Sequence, residues 1–280
     1  MLSEESIKTY RDEGVVCLRG LFDPTWLRLL ETGIERNLQA RGPNARHYNA
    51  GRDTGFYFAD AGVWQQIPEY RKFLFQSPAA AIAARLMGAR KVNLFFDNVF
   101  IKDASTPETT PWHHDLPYMP VDGDQVCSVW LALDEVPIEN SVEYIAGSHL
   151  WGKQFRPRNF FNPTADYNPE DFNDSRLEPI PDFDVTRDQV TIRRWAMKPG
   201  DVQIFHGFTV HGSPGNSTSI RRRAFVSRWC GDDVRYAWKG PETYPVFKDC
   251  GLQPGDALDS DTFPVVLNDG LSETEDFYLQ

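Results

Sequence analysis

Pro111-Trp112-His113-His114-Asp115 is answered 96 residues after Asp115 by Thr209-Val210-His211-Gly212, and eleven residues later by Arg222. In an extended strand successive side chains face opposite ways, so His113 and Asp115 are expected on one side and His114 on the other. One imidazole, one carboxylate and a distant second imidazole form the two-His-one-carboxylate set that holds Fe(II) on one face. Such a set leaves positions open for oxygen and an organic co-substrate. The pattern points to an oxygenase built on short strands.

Asp201 to Gly212 reads DVQIFHGFTVHG. A Gly200-Asp201 turn leads into a hydrophobic strand, Val202 to Phe205, with two histidines behind it. Only one of them need bind metal, so His206 competes with His211 for the role. Arg222 opens the next expected strand, Arg223 to Trp229, where a guanidinium can grip a carboxylate with two hydrogen bonds, as 2-oxoglutarate requires. Alternation sends Arg221 and Arg223 to the face opposite Arg222.

These residues resemble the phytanoyl-CoA dioxygenase (PhyH) family of Fe(II)- and 2-oxoglutarate-dependent oxygenases. The likeness is carried by Trp112 to Tyr118, Glu139-Asn140-Ser141, Ala146 to His149, Lys198 to Asp201, His211-Gly212-Ser213 and Arg222, and it extends over most of the chain. It implies His113, Asp115 and His211 as iron ligands and Arg222 as partner of the far carboxylate of 2-oxoglutarate. Ser213 assists that carboxylate, Trp130 lines the co-substrate pocket, and His114 stands beside it where relatives often carry glutamine. The family spacing and the offset to Arg222 favour His211 over His206. Two departures stand out: Ser141-Val142-Glu143 places a charge where small and apolar residues are usual, and Ala146 replaces a proline.

The implied reaction is oxidation of an unactivated C–H of a small organic molecule, typically hydroxylation, with release of succinate and CO2. Asp115 occupies the place a halide would need, which argues against halogenation. Desaturation and ring formation remain open outcomes. A cupin-like metalloenzyme using the same ligands without 2-oxoglutarate, and a non-catalytic jelly-roll binding module, are the competing readings.

At 280 residues, 41% hydrophobic and 13% aromatic, the chain has the length and composition of one folded domain. We expect a helical buttress over about residues 1–90, a jelly-roll core (double-stranded β-helix, cupin-like) over about 91–235, and a C-terminal tail from 236 to 280. A net charge of −11 argues against nucleic-acid partners. Cys17, Cys127, Cys230 and Cys250 form no C-x-x-C pair, and the polar N-terminus lacks a signal-peptide core. The expectation is a cytoplasmic monomer or homodimer with reduced thiols, no membrane contact and a free small-molecule substrate rather than an acyl-CoA.

Ser3 is expected to cap a helix to Glu13 that Gly14 ends, followed by a strand Val15 to Leu18. A second helix should run from Asp23-Pro24 to Gln39 and a third over Ala79–Met87. Strands are expected at Lys91–Lys102, Gln125–Asp134, Glu143–Ile145, Trp195–Lys198, Asp201–Phe205 and Arg223–Trp229. Arg41–Phe58 reads as a loop over the binding site, and Arg156–Asp188 as an ordered excursion or lid. Tyr57, Phe58, Trp64, Phe95 and Phe96 with Asp60 and Asp97 are a candidate aromatic, anionic pocket for a cation. On base rates such aromatics, like Trp112 and Trp229, are core residues first.

Overall fold

The structure is a computed structural model and describes residues 2–51, 55–160, 177–240, 243–245, 247 and 250–268. Among these, the α-helices are α1 (Glu4–Glu13), α2 (Pro24–Gln39), α3 (Pro68–Gln76) and α4 (Ala79–Met87). The first strands are β1 (Val15–Leu18), β2 (Arg46–His47), β3 (Tyr57–Ala61), β4 (Val92–Lys102), β5 (Thr110–His113), β6 (Val121–Asp122), β7 (Val126–Ala132) and β8 (Glu143–Ile145). They are followed by β9 (Gln154–Phe155), β10 (Leu177–Glu178), β11 (Ile192–Arg193), β12 (Val202–His206), β13 (His211–Ser213), β14 (Arg222–Cys230), β15 (Arg235–Tyr236) and β16 (Val265–Leu267).

The helix ends obey local chemistry. Ser3 accepts from the Ser6 amide at the start of α1, and Asp23 accepts from the Thr25 and Trp26 amides before Pro24 opens α2. Gly14 ends α1 at φ 76°, and any Cβ there would lie 2.4 Å from both the His149 ring and the Thr209 hydroxyl. The position demands glycine on both counts.

A large sheet has the order β1-β12-β7-β14-β4-β3-β2, with β16 added beside β4, and a smaller antiparallel sheet has the order β11-β8-β13-β5. Alternation along the central strands divides two cores. Cys127, Val129 and Leu131 of β7 and Phe225 of β14 join the helices in one cluster. Trp130, Ala132, Ala224 and Val226 turn the other way and meet Tyr144 of β8 between the sheets. The Phe225 ring packs 4.7 Å from Tyr70 and 5.4 Å from Phe73, pinning α3 to the sheet. The molecule is therefore mainly β: a jelly-roll core of two facing sheets, with helices packed on the outer face of the larger one.

Several expectations change. The first ninety residues are more than a helical buttress, since β1, β2 and β3 extend the large sheet. The tail contributes β16 and the buried Phe263. Trp195–Lys198 is not a strand; only Met197 bridges to Val136, while the pairing with β8 falls to Ile192 and Arg193. α3 was not anticipated, and its N-cap, Ile67, makes no side-chain capping bond that would mark it. Of the Arg156–Asp188 excursion, 161–176 lie outside the described residues. Among the described residues, no helix is long and apolar enough to cross a membrane, and all four cysteines are free thiols.

Candidate active site

Strand pairing brings the distant histidines together. β13 runs antiparallel to β5 with His211 directly opposite His113. The strand argument fails for Asp115, because β5 stops at His113. Asp115 has helical angles, φ −71° and ψ −40°, and begins the 3-10 turn Leu116–Tyr118. That turn carries the carboxylate back beside the two rings. Its Oδ1 lies 3.6 Å from His113 Nε2 and 3.8 Å from His211 Nε2. One ligand atom from each of the three residues lies within 4.8 Å of the others, and all three residues are buried.

Each group is held from behind. His113 Nδ1 is 2.8 Å from the Pro111 carbonyl oxygen and His211 Nδ1 is 2.9 Å from that of Thr209. A carbonyl only accepts, so each Nδ1 carries the proton and each Nε2 keeps its lone pair facing the cluster. Burial, followed by the neighbouring His113, pushes His211 down to about 3, which keeps that imidazole neutral. Asp115 Oδ2 accepts from Ser128 Oγ at 3.1 Å and Arg228 Nε at 3.2 Å, leaving Oδ1 for the histidine side. Burial alone would raise the Asp115 pKa, but Arg228 and the two imidazoles outweigh it and hold the carboxyl well below the usual range. Two neutral imidazole nitrogens and one carboxylate oxygen are the donor set that suits ferrous iron, so these residues fit that metal.

The cluster opens into a cavity of about 720 Å³. β14 lines it with Arg222, Ala224, Val226 and Arg228, every second residue, and β4 does so with Phe96, Asn98, Phe100 and Lys102. Arg222 is buried, donates to the Asn140 carbonyl, and donates from Nη2 to Ser213 Oγ at 3.2 Å. Burial pulls its guanidinium down to about 10, still a full cation at neutral pH. No carboxylate of a described residue forms an ion pair with it. Opposite Arg222 in the ladder stands Lys102, whose Nζ donates to the Glu108 and Pro214 carbonyls at 2.9 and 3.1 Å and lies 4.4 Å from the Tyr57 ring centroid. Burial, then Arg222, pushes the Lys102 pKa well down. Trp130 and Ser213 line the same cavity.

Other expected residues lie elsewhere. His114 turns away from the cavity, where its Nε2 accepts from the Phe155 amide at 2.8 Å and its ring meets Phe155 and Phe208. A nitrogen lone pair spent on a backbone amide is unavailable to metal or co-substrate, so the expected cofactor contact of His114 is not met. His206 is likewise turned outward: Nδ1 accepts from the Phe208 amide and Nε2 faces Asp124 at 3.4 Å. Glu143 brings no charge to the cavity, since Arg187 binds it through two 2.8 Å bonds and Arg194 through one of 3.0 Å.

The anionic pocket is not formed either. Asp60 accepts from Asn37 and the Gly42 amide, and Asp97 from the Trp64 amide. Phe58 and Trp64 belong to the helix-side core; only Tyr57 and Phe96 of that set face the cavity. Sequence reading missed Lys102 and Arg228. Strand parity would have found both, because Arg228 shares the face of Arg222 six residues on, and Lys102 shares that of Phe96.

The sequence of this chain matches the phytanoyl-CoA dioxygenase (PhyH) family over residues 10–224. A probable phytanoyl-CoA dioxygenase of Caenorhabditis elegans is 26% identical over 126 residues, covering 44% of this chain and 37% of that protein. A phytanoyl-CoA dioxygenase domain-containing protein 1 homolog of Caenorhabditis briggsae is 25% identical over 164 residues, 57% of this chain and 53% of its own. The matches thus span only about a third to a half of these relatives. Among solved structures, the non-heme alpha-ketoglutarate-dependent carbocyclase SnoK from nogalamycin biosynthesis superposes with a TM-score of 0.73 at 25% identity, covering 94% of this chain and 96% of SnoK. The epimerase SnoN, solved with Fe3+, alpha-ketoglutarate and nogalamycin RO, gives 0.71 at 22% identity, with 94% and 98% coverage. With a family match across three-quarters of its length, the chain belongs to the phytanoyl-CoA dioxygenase family of Fe(II)- and 2-oxoglutarate-dependent oxygenases.

Proposed function

We propose that this protein is an Fe(II)- and 2-oxoglutarate-dependent dioxygenase that hydroxylates an unactivated C–H of a small organic molecule, releasing succinate and CO2. The observation that carries the reading is the coexistence, in one cavity, of the His113-Asp115-His211 donor set and a buried Arg222 without an acidic partner among the described residues. A buried cation of that kind is matched to an anionic ligand rather than to the protein.

His113, Asp115 and His211 would hold the metal, and Arg222 with Ser213 the far carboxylate of 2-oxoglutarate. Lys102 adds a second basic group beside that carboxylate, and Trp130 walls the co-substrate. Together, bound Fe(II) and 2-oxoglutarate supply the oxidising power for C–H cleavage. The protein's part is to orient both reactants and exclude water. Because solved structures of similar fold are named a carbocyclase and an epimerase, product analysis must accompany turnover.

The test is an anaerobic titration with Fe(II) and 2-oxoglutarate, following the visible metal-to-ligand charge-transfer band. Wild type should develop the band, and Arg222→Ala should need on the order of 100-fold more 2-oxoglutarate, the loss expected for a buried charge-assisted pair of about 3 kcal/mol. Bound iron with no band would favour the cupin-like reading, in which Arg222→Ala retains activity. Failure to take up iron would favour a binding module.

A further inference from the structure

The charge of the cavity opposes that of the protein. The chain carries a net −11, yet the described lining residues include Arg46, Lys102, Arg158, Arg222 and Arg228 against a single carboxylate, Asp115. Three of these basic groups have work already. Arg228 braces Asp115 and bonds Asn98 at 3.3 Å, while Lys102 and Arg222 face each other at the end assigned to 2-oxoglutarate. The two charges of Fe(II) would be cancelled by the 2-oxoglutarate dianion. The loaded cavity therefore stays positive, and Arg46 is the lining cation whose role is open.

Arg46 is the informative one. It stands on β2 at the edge of the large sheet, half-buried, with its guanidinium 5.7 Å from the Tyr244 ring centroid. Its side chain reaches the carbonyl of its own neighbour Ala45 at a long 3.4 Å, and it forms no ion pair with any described carboxylate. A guanidinium backed by an aromatic face and lacking an acid is well placed to bind an anion, and low-dielectric walls focus its field.

The wall beside Arg46 is aromatic, its neighbouring rings tilted 40–52° to one another so that they offer both faces and edges. Tyr57 and Tyr48 lie 4.6 Å apart, Tyr48 and Phe160 6.4 Å, and Phe160 and Tyr118 5.6 Å, all measured between ring centroids. Phe160 also packs edge-on to His113 at 4.8 Å, so this wall reaches the metal ligands. A cavity of about 720 Å³ falls within the range of roughly 300–1,000 Å³ typical of drug-sized ligands and exceeds what a five-carbon diacid fills.

Resting on the oxygenase reading above, we propose that the substrate is a planar aromatic or polycyclic acid, its anionic group bound at Arg46 and its rings laid along Tyr48, Phe160 and Tyr118. The basic lining selects against the cationic substrates that the sequence alone brought into consideration.

The experiment is anaerobic calorimetry on the protein saturated with Fe(II) and 2-oxoglutarate, using 1-naphthoate and anthraquinone-2-carboxylate, their primary amides, and 1-naphthylmethylamine. At least one acid should bind tenfold or more tighter than its amide, and the amine should not bind. Arg46→Gln should bring acid and amide within about threefold of each other, and Arg46→Lys should restore the preference. The charge-transfer band, recorded first on each sample, reports folding and the loaded site. Absence of the band in wild type would defeat the oxygenase reading itself. A normal band with no acid bound, with acid and amide equal, or with the preference intact in Arg46→Gln would overturn the aromatic-acid proposal alone.

Discussion

Arg228 and Asp115 meet at 3.2 Å, Nε to Oδ2, and this bond decides which carboxylate oxygen the histidines see. Ser128 holds the same oxygen at 3.1 Å and faces Arg228 across the β7–β14 ladder. Outer partners of this kind typically contribute 10- to 100-fold to metal affinity. Arg228→Met should therefore weaken Fe(II) binding by about 10- to 100-fold, and Ser128→Ala by less, in anaerobic metal titrations. Unchanged affinity in Arg228→Met would show that Asp115 is oriented by its turn and Ser128 without the guanidinium.

Removing a ligand should be more severe. His113→Ala and Asp115→Ala are expected to abolish iron retention through gel filtration. Fe(II) should also raise the melting temperature of wild type, since a ligand that binds only the native state at 100 times its Kd stabilises by about 2.7 kcal/mol. Addition of a chelator should reverse the shift. The two variants should show no shift at all, and near-normal iron affinity in either would refute the ligand assignment.

His114 gives a pH dependence. Burial first, then the neighbouring His113, pushes its imidazole down to about 4 from an ordinary value near 6.5. The unfolded chain thus binds the proton more readily between those values. Stability is complete above about pH 6.5 and is lost as pH falls towards 4, by at most about 3 kcal/mol. In His114→Gln, whose amide oxygen can accept from the Phe155 amide, urea denaturation between pH 7 and 4.5 should show a shallower decline. An identical decline would assign the acid sensitivity to other groups.

Phe225→Ala tests the joint between helices and sheet. The side chain is fully buried against Tyr70 and Phe73, and its loss should cost about 3–5 kcal/mol in denaturant unfolding. Because Phe225 faces away from the cavity, 2-oxoglutarate affinity of the folded fraction should change less than twofold. A large change there would mean that the helical layer tunes the site.

The sequence displayed the metal cluster more clearly than the strands that build it. His113 and His211 stood out by chemistry, whereas β5 and β13 span four and three residues, too few for an alternating pattern to show. Asp115 was placed on the right side for a reason that does not hold, since a helical turn rather than a strand delivers it. α3 lacks a capping side chain and passed unnoticed. The supposed anionic pocket dissolved because Asp60 and Asp97 are buried away from the cavity, accepting from the Gly42 and Trp64 amides, which composition cannot reveal. Arg46 was legible only as part of a loop, because its importance comes from what surrounds it in space.

β14 has a bearing on how this protein can change over generations. From Arg222 to Arg228 one strand carries the proposed clamp for the co-substrate, two apolar wall residues and the brace of Asp115, all on alternate positions. A single-codon insertion or deletion between them would invert one end relative to the other. Clamp and brace could not then face the same cavity. A substitution in this strand disturbs one side chain at a time, each at its own cost, whereas a change in its length displaces several at once. New substrates must therefore be reached through the loops and edge strands around it, where Arg46 and Phe160 reside.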